Sequence, residues 1–268
     1  MENIYEIENL KCSYDKKKVV LHIEQLNIPR GKIVFVVGKS GSGKSTILET
    51  LGFMSDTIQE VSRFVYNGND MRWVWNWSDE VFSDFRNTDF SFIFQQNNLM
   101  HNFSAYENVM ITAMNQGMTR EEAREKTDSF FKSKNLPIVE NSSVSSYSGG
   151  QRQWIAFARA IIPNFLVLFG DEPTGNLDFK SANELMEELS SIVRYKHSTA
   201  IIVSHDIDLA VNHSDMIVQI KSIKREDGDG FYGLINNGCI YNKVNGKWFA
   251  QNESVDSKYL CRKIKENL

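Results

Sequence analysis

Nine consecutive residues, Gly38-Lys39-Ser40-Gly41-Ser42-Gly43-Lys44-Ser45-Thr46, have the types and spacing to hold an anion. The glycines let backbone N–H groups close around a phosphate, because a Cβ would block both the turn and the approach. Lys44 stands where an ammonium reaches the β- and γ-phosphates of a nucleoside triphosphate, and Ser45 where a hydroxyl serves Mg²⁺. Context decides whether GxxxxGK[ST] is a site or a glycine-rich turn. Here the apolar run Ile33-Val34-Phe35-Val36-Val37 precedes it, and Ile47-Leu48-Glu49-Thr50-Leu51, which reads as helical, follows. Strand, loop and helix bring a partly positive helix N-terminus to the same point. The stretch predicts a nucleoside triphosphate site.

A phosphate loop does not say which reaction follows. The apolar run Phe165 to Gly170, read as a buried strand, ends in Asp171-Glu172. Such a pair offers one carboxylate to Mg²⁺ and a second to polarise a water. Alone, it reads equally well as a helix N-cap.

The elements that position these groups follow from periodicity. Residues 3–37 read as strands, with Tyr14 at the end of the first pair as a half-buried aromatic or a stacking face, and His22 as structural. Val61 to Tyr66 is a strand with a turn at Asn67-Gly68, and Phe90 to Phe94 is a strand running into Gln95. Trp73, Trp75 and Trp77 alternate as in a strand, while Ser78 to Phe85 looks helical, and core packing is the default for the tryptophans. Between 100 and 163 the pattern is helical: Ser104-x-x-Glu107 and Thr119-x-x-Glu122 are capping boxes, and Ser148-Gly149-Gly150-Gln151 precedes a helix from Arg152 to Ile162 stopped by Pro163. A helix follows Asp178, with Ser181-x-x-Glu184 as a further cap. Buried strands at 200–203 and 216–220 alternate with helices, the pattern of a parallel α/β sheet with ligands at strand C-ends. Near the end, Asn237-Gly238 and Asn245-Gly246 predict antiparallel turns, and Val255, Tyr259, Leu260 and Ile264 a final amphipathic helix.

Bulk properties limit the alternatives. The 268 residues are 41% hydrophobic and 24% charged, with net charge −4, values of a soluble globular protein with no bulk attraction to nucleic acid. Cys12, Cys239 and Cys261 are scattered and form no CxxC, which argues against a disulfide framework or zinc site and suits a reducing compartment. The start lacks the basic and apolar regions of a signal peptide, and no apolar run is long enough to cross a bilayer. The expectation is a cytoplasmic chain whose membrane role, if any, comes through a partner.

Over about residues 3–222 the chain resembles an ATP-binding cassette (ABC) ATPase. Six motifs stand in that family's order: the phosphate loop Gly38 to Thr46, the Q-loop Phe94-Gln95, the signature Ser148-Gly149-Gly150-Gln151, the Walker B segment Leu166 to Glu172, the D-loop Gly175-Asn176-Leu177-Asp178 and the switch histidine His205. The resemblance implies an α/β P-loop NTPase core with a mainly parallel sheet, an antiparallel β subdomain and an inserted α-helical subdomain. It divides the chain into a nucleotide-binding domain over 1–222, its helical subdomain at about 97–163, and an extension over 223–268. It also implies ATP and Mg²⁺ as ligands. Lys39, Ser40, Ser42, Lys44, Thr46 and the loop glycines would hold phosphate, Tyr14 would stack on adenine, and Ser45, Gln95 and Asp171 would surround the metal. Glu172 would be the general base and His205 the γ-phosphate sensor. Ser148, Gly149, Gly150 and Gln151 would complete the site of a second, head-to-tail cassette, with Asp178 at the shared interface. Tyr147 replaces the usual Leu, Trp154 a frequent Arg and Gly170 a frequent Ala, and none of these removes a catalytic group.

The run Asp171-Glu172-Pro173-Thr174-Gly175-Asn176-Leu177-Asp178 is similar to the branch of lipoprotein-releasing, macrolide-export and cell-division ATPases. That branch works on integral membrane subunits, so the resemblance implies a peripheral position on the inner face of the cell membrane, with no nucleic acid. The alternative is a non-transport ABC ATPase acting as a soluble factor. Those usually carry two cassettes or a long coiled coil, whereas this chain has one cassette and no heptad run.

Overall fold

The computed structural model describes residues 2–137, 142–226, 230–251 and 253–268. The chain begins with β1 (Asn3–Cys12), β2 (Leu21–Pro29), β3 (Ile33–Gly38) and α1 (Lys44–Leu51). Short strands β4 (Ile58–Glu60), β5 (Arg63–Tyr66) and β6 (Asn69–Asp70) precede α2 (Asp79–Asp89) and β7 (Phe90–Ile93). Helices α3 (Ala105–Asn115), α4 (Arg120–Ser133) and α5 (Gly149–Ile161) then lead to β8 (Val167–Asp171), α6 (Phe179–Lys196), β9 (Thr199–Ser204), α7 (Ile207–His213) and β10 (Met216–Lys224). The chain closes with β11 (Phe231–Ile235), β12 (Ile240–Val244), β13 (Lys247–Ala250), β14 (Glu253–Val255) and α8 (Ser257–Glu266).

The strands follow the order β6-β5-β1-β2-β11-β10-β3-β9-β8-β7. From β10 through β7 the pairing is parallel, and β1 pairs antiparallel with β2, β4 and β5. This is the expected P-loop NTPase architecture. β3 shows why it holds together: Ile33, Phe35 and Val37 enter the apolar cluster under α3–α7, while Val34 and Val36 enter the one under α1 and the antiparallel strands. A strand buried on both faces has no polar alternation, as its sequence indicated.

Several local expectations need correction. Asn237-Gly238 is not a hairpin turn. It forms a short 3₁₀ turn in which Gly238 N–H donates to the Asn236 side chain at 3.1 Å, and β11 and β12 pair with different halves of β10. A type I′ Asn-Gly hairpin needs two positive φ angles, which Asn245 (50°) and Gly246 (77°) have between β12 and β13. Ser181 does not cap α6; Asp178 does, accepting from Ser181 N–H at 3.0 Å. Val255 ends β14 rather than entering α8, and Tyr259 faces solvent while Leu260 and Ile264 are buried. The three tryptophans form no strand. Trp75 packs on Phe82 with ring centroids 4.9 Å apart, Trp77 packs near Phe85, and Trp73 is exposed. β11, from beyond residue 222, lies inside the sheet, parallel to β2 and antiparallel to β10.

Candidate nucleotide site

The loop after β3 is shaped by close approaches. A Cβ on Gly38 would stand 2.5 Å from Ser42 Oγ, and Gly43 turns into α1 at φ 96°, left-handed backbone that favours glycine. Helices α3 to α8 each have a Ser, Thr or Asp side chain accepting from a first-turn N–H. α1, like α2, has none; its cap is Gly43, which has no side chain, so its first amides carry no side-chain partner. Lys39, Ser40 and Gly41 are exposed on the loop, and Ser42 is buried beneath it. Lys44 folds back, its Nζ donating to Gly38 O at 2.8 Å and Lys39 O at 2.9 Å. Burial lowers its pKa, and the nearby Glu172 and Asp171 carboxylates oppose that shift.

The sheet delivers the acids to the same edge. Asp171 ends β8 opposite Val203 of β9, and it lines a 140 Å³ cleft with Ser45, Glu49, Phe92 and Phe94. Burial, then the Glu172 charge, pushes the Asp171 carboxyl above its ordinary value. A hydroxyl and a carboxylate converging on one cleft are the hard oxygen donors that suit Mg²⁺ beside phosphate oxygens. Glu172 adopts φ 46°, rare for a non-glycine residue, and its Oε2 lies 2.8 Å from His205 Nδ1 just past β9. Strand register therefore brings together the base and sensor candidates, which are distant in sequence.

Gln95 is exposed just beyond β7, and its carbonyl accepts from Asn176 Nδ2 at 3.2 Å, joining Q-loop to D-loop. The Tyr14 ring stands half exposed over α1, its hydroxyl donating to Glu49 at 2.8 Å and meeting the buried Thr46 hydroxyl at 3.2 Å. The signature residues are elsewhere. Ser148 and Gln151 form a reciprocal capping box at the start of α5, leaving open space beside Gly149 and Gly150. Among the described residues no hydrogen bond joins 148–151 to the loop 38–46. Asp178 is engaged as the cap of α6.

Two supporting residues escaped the sequence reading. Arg159 of α5 donates to the carbonyls of Asn97 (3.0 Å) and Asn98 (2.7 Å), holding the chain beyond Gln95. The buried Gln153 donates to Pro173 O, next to Glu172. Their partners are main-chain carbonyls, which leave no pattern in the sequence. The atypical residues also find reasons. A Cβ on Gly170 would stand 2.7 Å from Ile202 Cδ1. Tyr147 is buried and donates to Pro137 O at 3.0 Å. Trp154 packs between Phe130 and Phe157 beneath the Lys134 ammonium, 4.5 Å from its ring.

An uncapped glycine loop, a cleft with a hydroxyl and a carboxylate, and a Glu–His pair on parallel strand ends define a P-loop nucleotide-hydrolase cassette. Comparison with known proteins agrees. The family model described as ABC transporter matches residues 21–175. The lipoprotein-releasing system ATP-binding protein LolD of Syntrophus aciditrophicus is 34% identical over 228 residues, covering 84% of this chain and 97% of that protein. The macrolide export ATP-binding/permease protein MacB of Vibrio parahaemolyticus is 33% identical over 88% of this chain, which spans 34% of that longer protein. Among solved structures, the dimeric bacterial ABC transporter cassette MJ0796 is similar at TM-score 0.68 and 28% identity, covering 80% of this chain and 93% of that one. A dimeric post-hydrolysis state of the same cassette, bound to ADP and Pi, is similar at TM-score 0.67 and 27% identity. The chain belongs to the ABC transporter family, as an ATP-binding and ATP-hydrolysing subunit.

Proposed function

We propose that ATP binds with its phosphates in the loop Gly38–Thr46 against Lys44 and the open N-terminus of α1, and its adenine on Tyr14. Ser45, Asp171 and Gln95 are the residues that would hold Mg²⁺, which supplies charge neutralisation to the β- and γ-phosphate oxygens. Glu172 orients the attacking water and accepts its proton as the water oxygen bonds to the γ-phosphorus. The β–γ bridging bond breaks, giving ADP and phosphate. His205 Nδ1–H donates to Glu172, which orients the imidazole as the γ-phosphate sensor. The observation that carries this reading is the 2.8 Å Glu172–His205 pair at the sheet edge that also bears Asp171.

The signature in one chain lies apart from its own phosphate loop, so the open amides at Gly149 and Gly150 serve a second copy. Two cassettes then enclose two ATP molecules head to tail, with Asp178 at their interface, and separate after hydrolysis. Among the described residues no helix is long and apolar enough to cross a membrane. The likeness to transporter ATP-binding proteins supports a motion that acts on an integral membrane partner, with this chain on the cytoplasmic side. Export, lipoprotein extraction and force transmission all fit that arrangement. The test is affinity purification of the chain from detergent-solubilised native membranes with mass spectrometry. A stoichiometric integral membrane protein supports the assignment. Recovery of active ATPase from the soluble fraction alone favours the soluble-factor alternative.

A further inference from the structure

The floor beneath the phosphate loop comes from three strands, β2, β10 and β11, the last two of which lie beyond the family match at 21–175. Ser42 is 97% shielded from solvent, its relative exposure being 3%. Below it, a Cβ on Gly233 of β11 would stand 2.0 Å from the Ser42 carbonyl oxygen, 2.7 Å from Ile220 Cγ2 and 3.1 Å from Leu21 Cδ1. Gly43 rests on the same support, since a Cβ there would stand 3.3 Å from Leu21 Cβ and 3.5 Å from Val20 O. β11 is held in place from both sides. Gly233 N–H donates to Val20 O at 2.8 Å, Gly233 pairs with Leu21 of β2, and it pairs with Ser222 of β10.

We infer that Gly233 is a positioning residue for the phosphate loop, and that β11 forms the surface setting the orientation of the Ser42–Gly43 peptide. Contacts under 3.0 Å are essentially never tolerated, so a methyl at 233 drives the Ser42 carbonyl away by at least 1.0 Å (3.0 less 2.0) or pushes β11 out of the sheet. The Ser42 carbonyl and the Gly43 N–H belong to one rigid planar unit. Displacing the oxygen rotates the N–H with it, taking a donor out of the anion-binding arrangement. Misplacement by about 1 Å costs up to about 100-fold where function depends on fixed geometry. The C-terminal segment is thereby part of the nucleotide site without touching nucleotide. This inference rests on the phosphate-loop reading proposed above.

The experiment uses the full chain and a fluorescent ATP analogue, with thermal unfolding of the nucleotide-free protein measured in parallel. Wild type is compared with Gly233→Ala, with Leu234→Ala one residue further along the same strand, and with Lys44→Ala. Gly233→Ala is expected to weaken ATP binding about 10- to 100-fold, with KM rising in step. Leu234→Ala is expected to lower the unfolding temperature and leave ATP affinity at the wild-type value. Wild-type affinity in Gly233→Ala, or equal losses in both β11 variants, overturns the inference. Failure of wild type to bind, or full binding by Lys44→Ala, overturns the phosphate-loop reading itself. If Gly233→Ala does not fold, amide hydrogen exchange on wild type decides. ATP must slow exchange over residues 231–235, and unchanged exchange there refutes the role of β11.

Discussion

Replacing Glu172 by Gln removes one charge and leaves the shape of the site. The amide oxygen still accepts from His205 Nδ1, now 2.8 Å away, so the loop after β8 keeps its anchor. Proton acceptance is lost. A general base contributes about 10²–10⁴ in rate, which is about 2.7–5.4 kcal/mol of barrier. Binding responds in the opposite sense. Glu172 is the second cause, after burial, of the raised Asp171 pKa, so without it Asp171 ionises more readily. One fewer negative charge beside Lys44 also repels the anionic phosphate tail less. The expected variant hydrolyses ATP at least 100-fold more slowly while binding it at least as tightly as wild type. Steady-state phosphate release and equilibrium titration with a fluorescent ATP analogue measure the two arms. Turnover above about a tenth of wild type would show that Glu172 is not the base. Loss of ATP binding would show that it is needed to hold substrate. Light scattering at millimolar ATP adds a third arm: the trapped variant is expected to be a dimer, and a monomer would refute the two-cassette enclosure for the isolated chain.

Lys44→Ala should abolish measurable ATP binding by calorimetry, and binding within tenfold of wild type would remove Lys44 from the phosphate site. Tyr14→Phe loses the hydroxyl bond to Glu49 but keeps the ring, so ATP affinity should stay within about threefold. Tyr14→Ala should cost about 1–3 kcal/mol of base stacking, and equal affinities for the two variants would refute stacking. Lys196 donates to Ile161 O and Pro163 O beside the Phe165 ring, and burial pushes its pKa from 10.5 down to about 8. Between those values the unfolded chain binds more protons than the folded one, so this group makes stability rise with pH across that window. The unfolding temperature of wild type minus that of Lys196→Met should therefore grow from pH 8 to 10.5, and a flat difference would refute the shift.

Local chemistry made much of the fold and site readable. The phosphate loop is one uninterrupted strand-loop-helix, and the caps Ser104–Glu107 and Thr119–Glu122 act within single turns. The errors fell where a local pattern met a tertiary constraint. Asn237-Gly238 looks like Asn245-Gly246 in sequence, yet β10 claims the strands on either side of the first pair and leaves no hairpin to close. Trp73, Trp75 and Trp77 alternate, but packing on Phe82 and Phe85 turned the segment into a 3₁₀ turn.

By itself the sequence determined the chemistry on offer: a glycine loop, a lysine, two carboxylates at a strand end and a histidine in family order. Each is set by residue type and short-range spacing, which survive without a fold. Only the tertiary structure decided which groups meet. Parallel register put Glu172 against His205, α5 carried Arg159 and Gln153 to main-chain carbonyls, and β11 slid beneath Ser42. Those contacts join residues distant along the chain through backbone atoms, which every residue has and no sequence motif records.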